Sequence, residues 1–276
     1  MNNRKILTTT ELSDSCMNDV LALLDLCQQE YDTEEVCFLE SEMNYDPDLP
    51  CYYLAYEDDK LICFLSVFIP DEMSCEIYSL TLPGYEDSGV FKLLINTAIE
   101  TMEAADIYDI IFVCDHEDKI NLKYMTDHLL EADSSTLLME LSIDNPVVFN
   151  DATDIPPSDY IFDHEVSVNE EDEDSVNHTL KFSKNGIYYG YAQCEQYPTA
   201  FCIHHVEIEE ALRGKGHGKE LLSDLLTYCL SLVSDIPEED TPIRFVLNVD
   251  YDNTAAYKLY KSFGFTCTQQ IDYYYV

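Results

Sequence analysis

The sequence predicts an α/β (α+β) protein in which one unit of mixed sheet and helices occurs twice. Short apolar runs of strand length alternate with longer stretches of helical period. The order of these elements between 51 and 143 returns between 178 and 276 with small gaps. A stretch rich in proline and acid, 144–177, separates the two series. We therefore divide the 276 residues into two modest domains, 1–145 and 146–276. An apolar content of 46% is ample for two packed cores.

In chain order, ILTTT (6–10) reads as a short strand. Ser13 or Asp14 caps a helix to about Gln29, with Val20, Leu21, Leu24 and Cys27 on one face. CYYLAYE (51–57) and KLICFLSVF (60–68) flank a turn at Asp58 and Asp59. CEIYSLTL (75–82) leads into a helical stretch, 90–105. DIIFVCD (109–115) is a buried strand, followed by a helix over 118–130 and the strand TLLMELSI (136–143). In the connection, Pro146, Pro156, Pro157 and the acidic run 170–174 mark solvated loop, with one strand at 160–168.

The pattern then restarts. HTLKFS (178–183) and IYYGYAQC (187–194) form a hairpin about Lys184, Asn185 and Gly186. FCIHHVEI (201–208) is a strand, 217–233 a helix, IRFVLNV (243–249) a strand, 253–263 a helix and 266–276 a last strand. The run 60–68 returns around 187–194, 77–82 as 203–208, 93–94 as 221–222 and 110–115 as 245–250. Each match is weak alone. Together, in one order with small gaps, they indicate an internal duplication.

Composition excludes several functions. A formal charge of −41 repels nucleic acid and is compatible with a cationic partner. The first residues hold no apolar signal region, and no apolar run is long enough to span a bilayer, so a cytoplasmic location without membrane contact is expected. The 11 cysteines form no C-x-x-C pair and no zinc spacing, so we expect reduced thiols and no metal. The assembly is read as a monomer or a homodimer.

The chemistry concentrates in R-G-K-G-H-G (213–218). Three of the chain's eight glycines and the cations Arg213, Lys215 and Lys219 meet there, where an apolar strand joins an apolar helix. Glycines let backbone N–H groups curl about a ligand, and a helix N-terminus adds free donors and a positive dipole end. Together they describe a cradle for a phosphate or pyrophosphate. The G-K-[ST] ending of a nucleotide P-loop is missing, and the context of a dinucleotide fingerprint is absent.

At this point the chain resembles the GNAT superfamily of acetyl-CoA-dependent N-acetyltransferases. V-E-I-E-E-A-L-R-G-K-G-H-G (206–218) is similar to that family's L-x-V-x-P-x-x-R-G-x-G-x-G, with Glu210 in place of proline. Asn253, Ala256, Leu259, Tyr260, Gly264 and Phe265 complete its second signature. The resemblance implies two tandem acyl-CoA N-acyltransferase domains, each with a mostly antiparallel central sheet, the N-terminal one degenerate. It implies transfer of an acetyl group from acetyl-CoA to a primary amine of a small cationic molecule or of a protein. The alternative is a non-catalytic module that senses acyl-CoA or binds another ligand.

The resemblance also distributes roles. Val206, Glu207, Ile208, Arg213, Gly214, Lys215, Gly216, His217, Gly218, Lys219, Asn253, Tyr257 and Tyr260 contact the cosubstrate. Amides of 214–219 hold the pyrophosphate, and the strand end at 206–208 pairs with the pantetheine arm. Tyr260 protonates the departing thiolate, a role that suits a phenol at neutral pH. Strand alternation sets His205 and Glu207 on one face and His204 on the other. Either His205 or Glu207 is the base or holds the water that is; solvated strand-edge residues remain the competing reading. His217 shapes the loop, and Tyr188, Tyr189, Tyr191 and the tyrosines 273–275 wall the acceptor pocket or pack.

The equivalent loop of the first half reads P-G-Y-E-D-S-G. The arginine is gone, and Glu86 and Asp87 would repel a pyrophosphate. Its later helix offers Tyr124 or Met125 opposite Tyr260, without the G-F ending. We expect this half to keep the fold without binding CoA. The strand and two helices that begin the family fold occur only at 6–43, so the second half's acceptor side is to be completed by the linker or the first half.

Overall fold

The computed structural model describes residues 4–31, 37–128, 130–143, 161–168, 175–233 and 242–276. The chain divides into two compact units, Met1–Thr136 with Gln269–Val276, and Leu137–Thr268.

In the first unit β1 (Arg4–Thr9), β2 (Tyr52–Glu57), β3 (Lys60–Phe68) and β4 (Ser74–Thr81) run antiparallel in chain order. A crossover through α2 (Val90–Ala104) brings β5 (Asp109–Asp115) parallel to β4. α1 (Asp14–Tyr31) and α2 both pack on β3. Every residue of β3 from Leu61 to Val67 is buried, so both faces of that strand are covered. α3 (Lys119–Asp127) follows β5, its first turn capped by Asp118, whose Oδ1 accepts the Asn121 N–H at 3.1 Å.

In the second unit β7 (Ile161–Val168), β8 (Val176–Lys184), β9 (Ile187–Gln196) and β10 (Ala200–Ile208) form an antiparallel meander. α4 (His217–Leu232) crosses over to β11 (Ile243–Asp250), parallel to β10. α5 (Thr254–Ser262) follows. Burial alternates along β11: Ile243, Phe245, Leu247 and Val249 are buried, whereas Arg244, Asn248 and Asp250 are exposed. The buried side chains join Leu222, Leu225, Leu226 and Cys229 of α4 in one core.

The remaining two strands change sides. β6 (Ser134–Ile143) lies beside β11, where Arg244 donates to both Glu140 oxygens at 3.1 and 2.8 Å. Its Leu137, Met139, Leu141 and Ile143 enter the second core. β12 (Thr266–Tyr275) ends in the first unit, antiparallel to β5, with Ile271 opposite Asp115 and Tyr275 opposite Ile111. Buried Asp272 anchors it there, accepting from Ser135 at 2.7 Å and Gln270 at 3.0 Å, with His116 Nδ1 at 2.6 Å. Burial alone would raise this carboxyl; the hydrogen bonds outweigh it and hold the pKa below the usual range.

Each half thus gives its last strand to the other unit. The halves read from the sequence, 1–145 and 146–276, differ from the compact units at these strands. Alternation records that a strand is buried, not which neighbour buries it. Of the strand and two helices expected in 6–43, β1 and α1 are present, and Ser41–Met43 is a single 3-10 turn. Positions 32–36 and most of the connecting segment, 144–160 and 169–174, lie outside the described residues. None of the 11 cysteines is joined in a disulfide.

Candidate active site

The site begins with an irregularity in β10. Its register against β9 slips between Ile203 and His205, leaving His204 as an extra residue. Before the bulge, Phe201 and Ile203 point into the core. After it, Val206 and Ile208 take that direction. His205 and Glu207 therefore face away from α4, opposite Gln193 and Tyr191. The expectation that His204 lies on the reverse face from His205 is corrected. Its Nε2 lies 3.5 Å from Glu195 Oε2, and Glu195 shares a face with Gln193 and Tyr191. A bulge adds one residue, so it breaks the period-two rule on which that expectation rested.

The bulge coincides with a parting of strands. β10 and β11 pair from Ala200 opposite Arg244 to Ile203 opposite Leu247, and no further, although both strands continue. From His204 to Ile208 the edge of β10 toward β11 has no ladder partner. Gly190 supports the other edge: a Cβ there would lie 1.9 Å from the Glu207 carbonyl oxygen, so only glycine fits. A glycine inside an otherwise regular strand pattern was the sequence signal for this close approach.

β10 runs into a 3-10 turn, Glu210–Leu212, and then the glycine loop. Gly214 and Gly216 take left-handed φ values of 75° and 92°, and Gly216 caps α4. This alternation turns successive amides inward. The N–H groups of Gly214, Lys215, Gly216 and Gly218 donate to no acceptor among the described residues. A Cβ on Gly218 would stand 3.4 Å from Leu259 Cδ2 and 3.9 Å from Ile208 Cγ1. The start of α4, the end of β10 and α5 therefore converge at this glycine.

The cations of the loop are turned toward protein. Arg213 Nε donates to the Ile208 carbonyl at 2.8 Å, and its Nη2 lies 3.5 Å from Glu207 Oε1. Lys215 Nζ donates to the Ala211 carbonyl at 2.9 Å, while Lys219 is exposed. His217 lies edge-on to Tyr189, with centroids 4.7 Å apart, and its Nδ1 is 3.5 Å from Glu220 Oε2. It supports the loop from the side.

On the open face, Tyr191 stacks on His205 at 6.1 Å and stands opposite Glu207 across the β9–β10 ladder. Burial first, and then the Glu207 charge, raise the Tyr191 pKa. Tyr188 is 42% exposed nearby, its pKa also raised, by burial and then by Glu209.

α5 supplies the remaining groups. Asn253 Oδ1 caps it by accepting the Ala256 N–H at 3.2 Å. Tyr257 and Leu259 are partly buried against the core. Tyr260 is only 7% exposed, its ring 5.7 Å from that of Phe265. Its hydroxyl makes no hydrogen bond among the described residues, and burial pushes its pKa up. The site thus brings together a ring of unused amides, an unpaired strand edge and a neutral phenol.

The first unit differs around the equivalent positions. β4 pairs with β3 without a bulge. β4 and β5 also part after Ile77 opposite Phe112, but the gap is filled. Ser79 Oγ donates to Asn121 Oδ1 at 2.9 Å, the Asn121 amide donates to Asp118, and all three residues are 4% exposed. The caps Asp118 and Asn253 align α3 with α5. Asn121 then matches Ala256, and Met125 matches Tyr260. In the loop, the Gly84 N–H donates to the chain's own Glu86 at 2.9 Å. Sequence reasoning missed the Asn121 plug, because a polar residue in a helix carries no signal of what it reaches.

A family model, Acetyltransferase (GNAT) family, matches residues 17–126 and 143–265. Among solved structures, a tandem GNAT protein from the clavulanic acid biosynthesis pathway is similar at 12% identity and a TM-score of 0.69, over 99% of this chain and 98% of that one. A GCN5-related N-acetyltransferase from Sphaerobacter thermophilus is similar at 12% identity and a TM-score of 0.67, over 98% and 94%. At such identity the likeness establishes the fold. No curated protein matches.

Proposed function

The chain belongs to the acetyltransferase (GNAT) family, and on that premise we propose that its second unit transfers an acetyl group from acetyl-CoA to a primary amine. The observation that carries this reading is the set of uncommitted amides between Gly214 and Gly218 at the start of α4, beside the unpaired end of β10. Such amides suit a pyrophosphate. The unpaired edge at Val206, Glu207 and Ile208 suits an amide-bearing chain laid along it, with the strand's own N–H free to polarise a carbonyl. Acetyl-CoA supplies the acyl group as a thioester.

The chain's residues then hold the reactants and move two protons. The amine nitrogen forms a bond to the acyl carbon, and the bond from that carbon to sulfur breaks. Tyr260 gives its proton to the leaving sulfur; its raised pKa supports a protonated phenol across the neutral range. The ammonium proton passes to His205 or, through water, to Glu207. His205 is exposed and makes no hydrogen bond or ion pair among the described residues, whereas Glu207 is ion-paired with Arg213, which favours His205 as base and Glu207 as holder. Arg213 and Lys219 assist the phosphates once Arg213 leaves the Ile208 carbonyl.

The acidic chain and the tyrosines and carboxylates beside His205 favour a cationic acceptor, a small amine or a lysine of a protein. Free thiols throughout support a reducing, cytoplasmic setting; among the described residues no helix is long and apolar enough to cross a membrane. The test is thiol release from acetyl-CoA in the presence of a panel of amines. Release that depends on the amine, with the acetylated product identified by mass, is the expected result. Binding of acetyl-CoA without release on any amine would replace the enzyme by an acyl-CoA-sensing module.

A further inference from the structure

A primary amine reaches the second unit as an ammonium, with three protons on nitrogen, and leaves as an amide with one. His205 or Glu207 takes a proton before the attack. The other has to leave the nitrogen of the tetrahedral adduct, so it needs a base beside the acyl carbon.

Where such a base stands follows from the strands. The acyl end of acetyl-CoA is the end farthest from its pyrophosphate. A pyrophosphate at 214–218 and an arm along 206–208 direct that end to the apex where β10 and β11 part, just past Ile203 opposite Leu247. His204 is the first residue beyond that apex. It is also the extra residue of the bulge, which aims its side chain onto the face of His205 and Glu207.

Behind His204 stands a fixed carboxylate. The His204 Nε2 lies 3.5 Å from Glu195 Oε2, the imidazole 43% exposed and the carboxylate 12%. Fully buried Ser175 donates from Oγ to Glu195 Oε1 at 2.5 Å, and the Tyr197 hydroxyl donates to Oε2 at 2.9 Å. Hydroxyl donors favour the charged form of a carboxyl. A carboxylate beside an imidazole fixes the ring and stabilises the imidazolium formed when it takes a proton. With the Nε2 proton directed at Glu195, Nδ1 keeps the lone pair that accepts. His205 makes no ion pair among the described residues.

We propose that His204 is a second base of the reaction, taking the proton of the adduct nitrogen, and that Glu195 is the positioning residue that holds its ring. This rests on acetyl transfer by the second unit. The ammonium gives one proton to His205 or Glu207, and its lone pair bonds to the acyl carbon. The adduct nitrogen, now positive, gives a proton to His204. The carbon–sulfur bond breaks as the carbonyl re-forms, and the sulfur takes the Tyr260 proton. Exchange with water resets the three groups, leaving one amide, one thiol and one released proton.

The test follows acetylated amine by mass, with the best amine of the panel. His204→Ala should lower kcat about a hundredfold, with the KM for acetyl-CoA within about twofold. His204 is exposed, so this variant should melt as the unsubstituted chain does. Added imidazole should restore about tenfold of the lost rate and leave the unsubstituted chain unchanged. Glu195→Gln should lower kcat about tenfold alone, and less than about twofold in the His204→Ala chain. A His204→Ala kcat within about twofold of the unsubstituted chain, or a loss that imidazole does not restore, would overturn the proposal. Fully additive losses would remove Glu195 as the positioning residue. A chain that acetylates no amine before any substitution would overturn acetyl transfer itself, an outcome distinct from an active chain indifferent to His204.

Discussion

The loop before α2 and the loop before α4 occupy one place in two copies of a fold, and they differ in charge: Glu86 and Asp87 stand where the second loop has Arg213 and Gly214. In the first, the Gly84 N–H is taken by Glu86 and the Val90 N–H by Ser88 Oγ at 3.3 Å. In the second, the N–H groups of Gly214, Lys215, Gly216 and Gly218 have no acceptor among the described residues; of their counterparts in the first, Ser88 donates to the Tyr85 carbonyl at 3.0 Å, while Asp87, Gly89 and Phe91 likewise have none. The slots beside the loops differ more. Asn121 reaches across the first to Ser79, whereas the matching Ala256 has no side chain to cross the second. Left-handed glycines cap both helices, Gly89 at φ 74° and Gly216 at 92°, so the backbone turn alone does not distinguish them. The two copies are distinguished by the charge of the loop and by the side chain that crosses the slot beside it.

The harshest test of this comparison removes the first half. A chain of 150–276 lacks β6, and with it Leu137, Met139, Leu141 and Ile143 of the second core. Each such side chain is worth about 1.5–3 kcal/mol of burial, which together exceeds much of an ordinary domain's stability. We expect no cooperative melt by circular dichroism and no thiol release. A folded, active fragment would show that the exchange of strands is dispensable.

Next in size is Gly216→Glu. It forces a side chain into left-handed backbone and puts a carboxylate where an anion should sit. CoA affinity, measured by calorimetry, should fall about a thousandfold. The mirror change, Gly89→Ala, should cost about 1 kcal/mol of stability and leave CoA affinity unchanged.

Tyr260→Phe should lower kcat about a hundredfold, with the CoA dissociation constant within about twofold. Burial raises this phenol above its ordinary value of 10.0, so the proton is retained through neutral pH and lost only at higher pH. The alkaline limb of kcat should therefore lie above 10 and be absent in the variant. An unchanged kcat would remove Tyr260 as the acid.

The smallest effects come from exchanging the plug. Ala256→Asn should raise the KM for acetyl-CoA about tenfold with kcat nearly constant. Asn121→Ala should cost about 1–3 kcal/mol in a denaturant melt, through the orphaned Ser79 hydroxyl and the loss of one donor to Asp118, and leave that KM unchanged.

Much of this was legible in the sequence. KLICFLSVF and DIIFVCD became β3 and β5 at the bounds read for them, because a buried strand between polar turns has few other ways to sit. The glycine loop was legible because few backbones need three glycines in five residues. The bulge at His204 was not, because an inserted residue shows only against a partner's register. Nor was the destination of β6 and β12, since both carry apolar residues that either core would accept.

That exchange has a bearing on how the protein is made. The neighbour that covers the edge of β5 is the last strand of the chain. A ribosome adds about 5–20 residues per second, so β5 emerges on the order of ten seconds before β12 is synthesised. During that interval the growing chain carries an unsatisfied row of backbone donors and acceptors, the kind of edge that invites pairing between neighbouring nascent chains. Completion of the first-made unit thus waits on the synthesis of β12, and a chain stalled before residue 266 would expose β5 as an aggregation template.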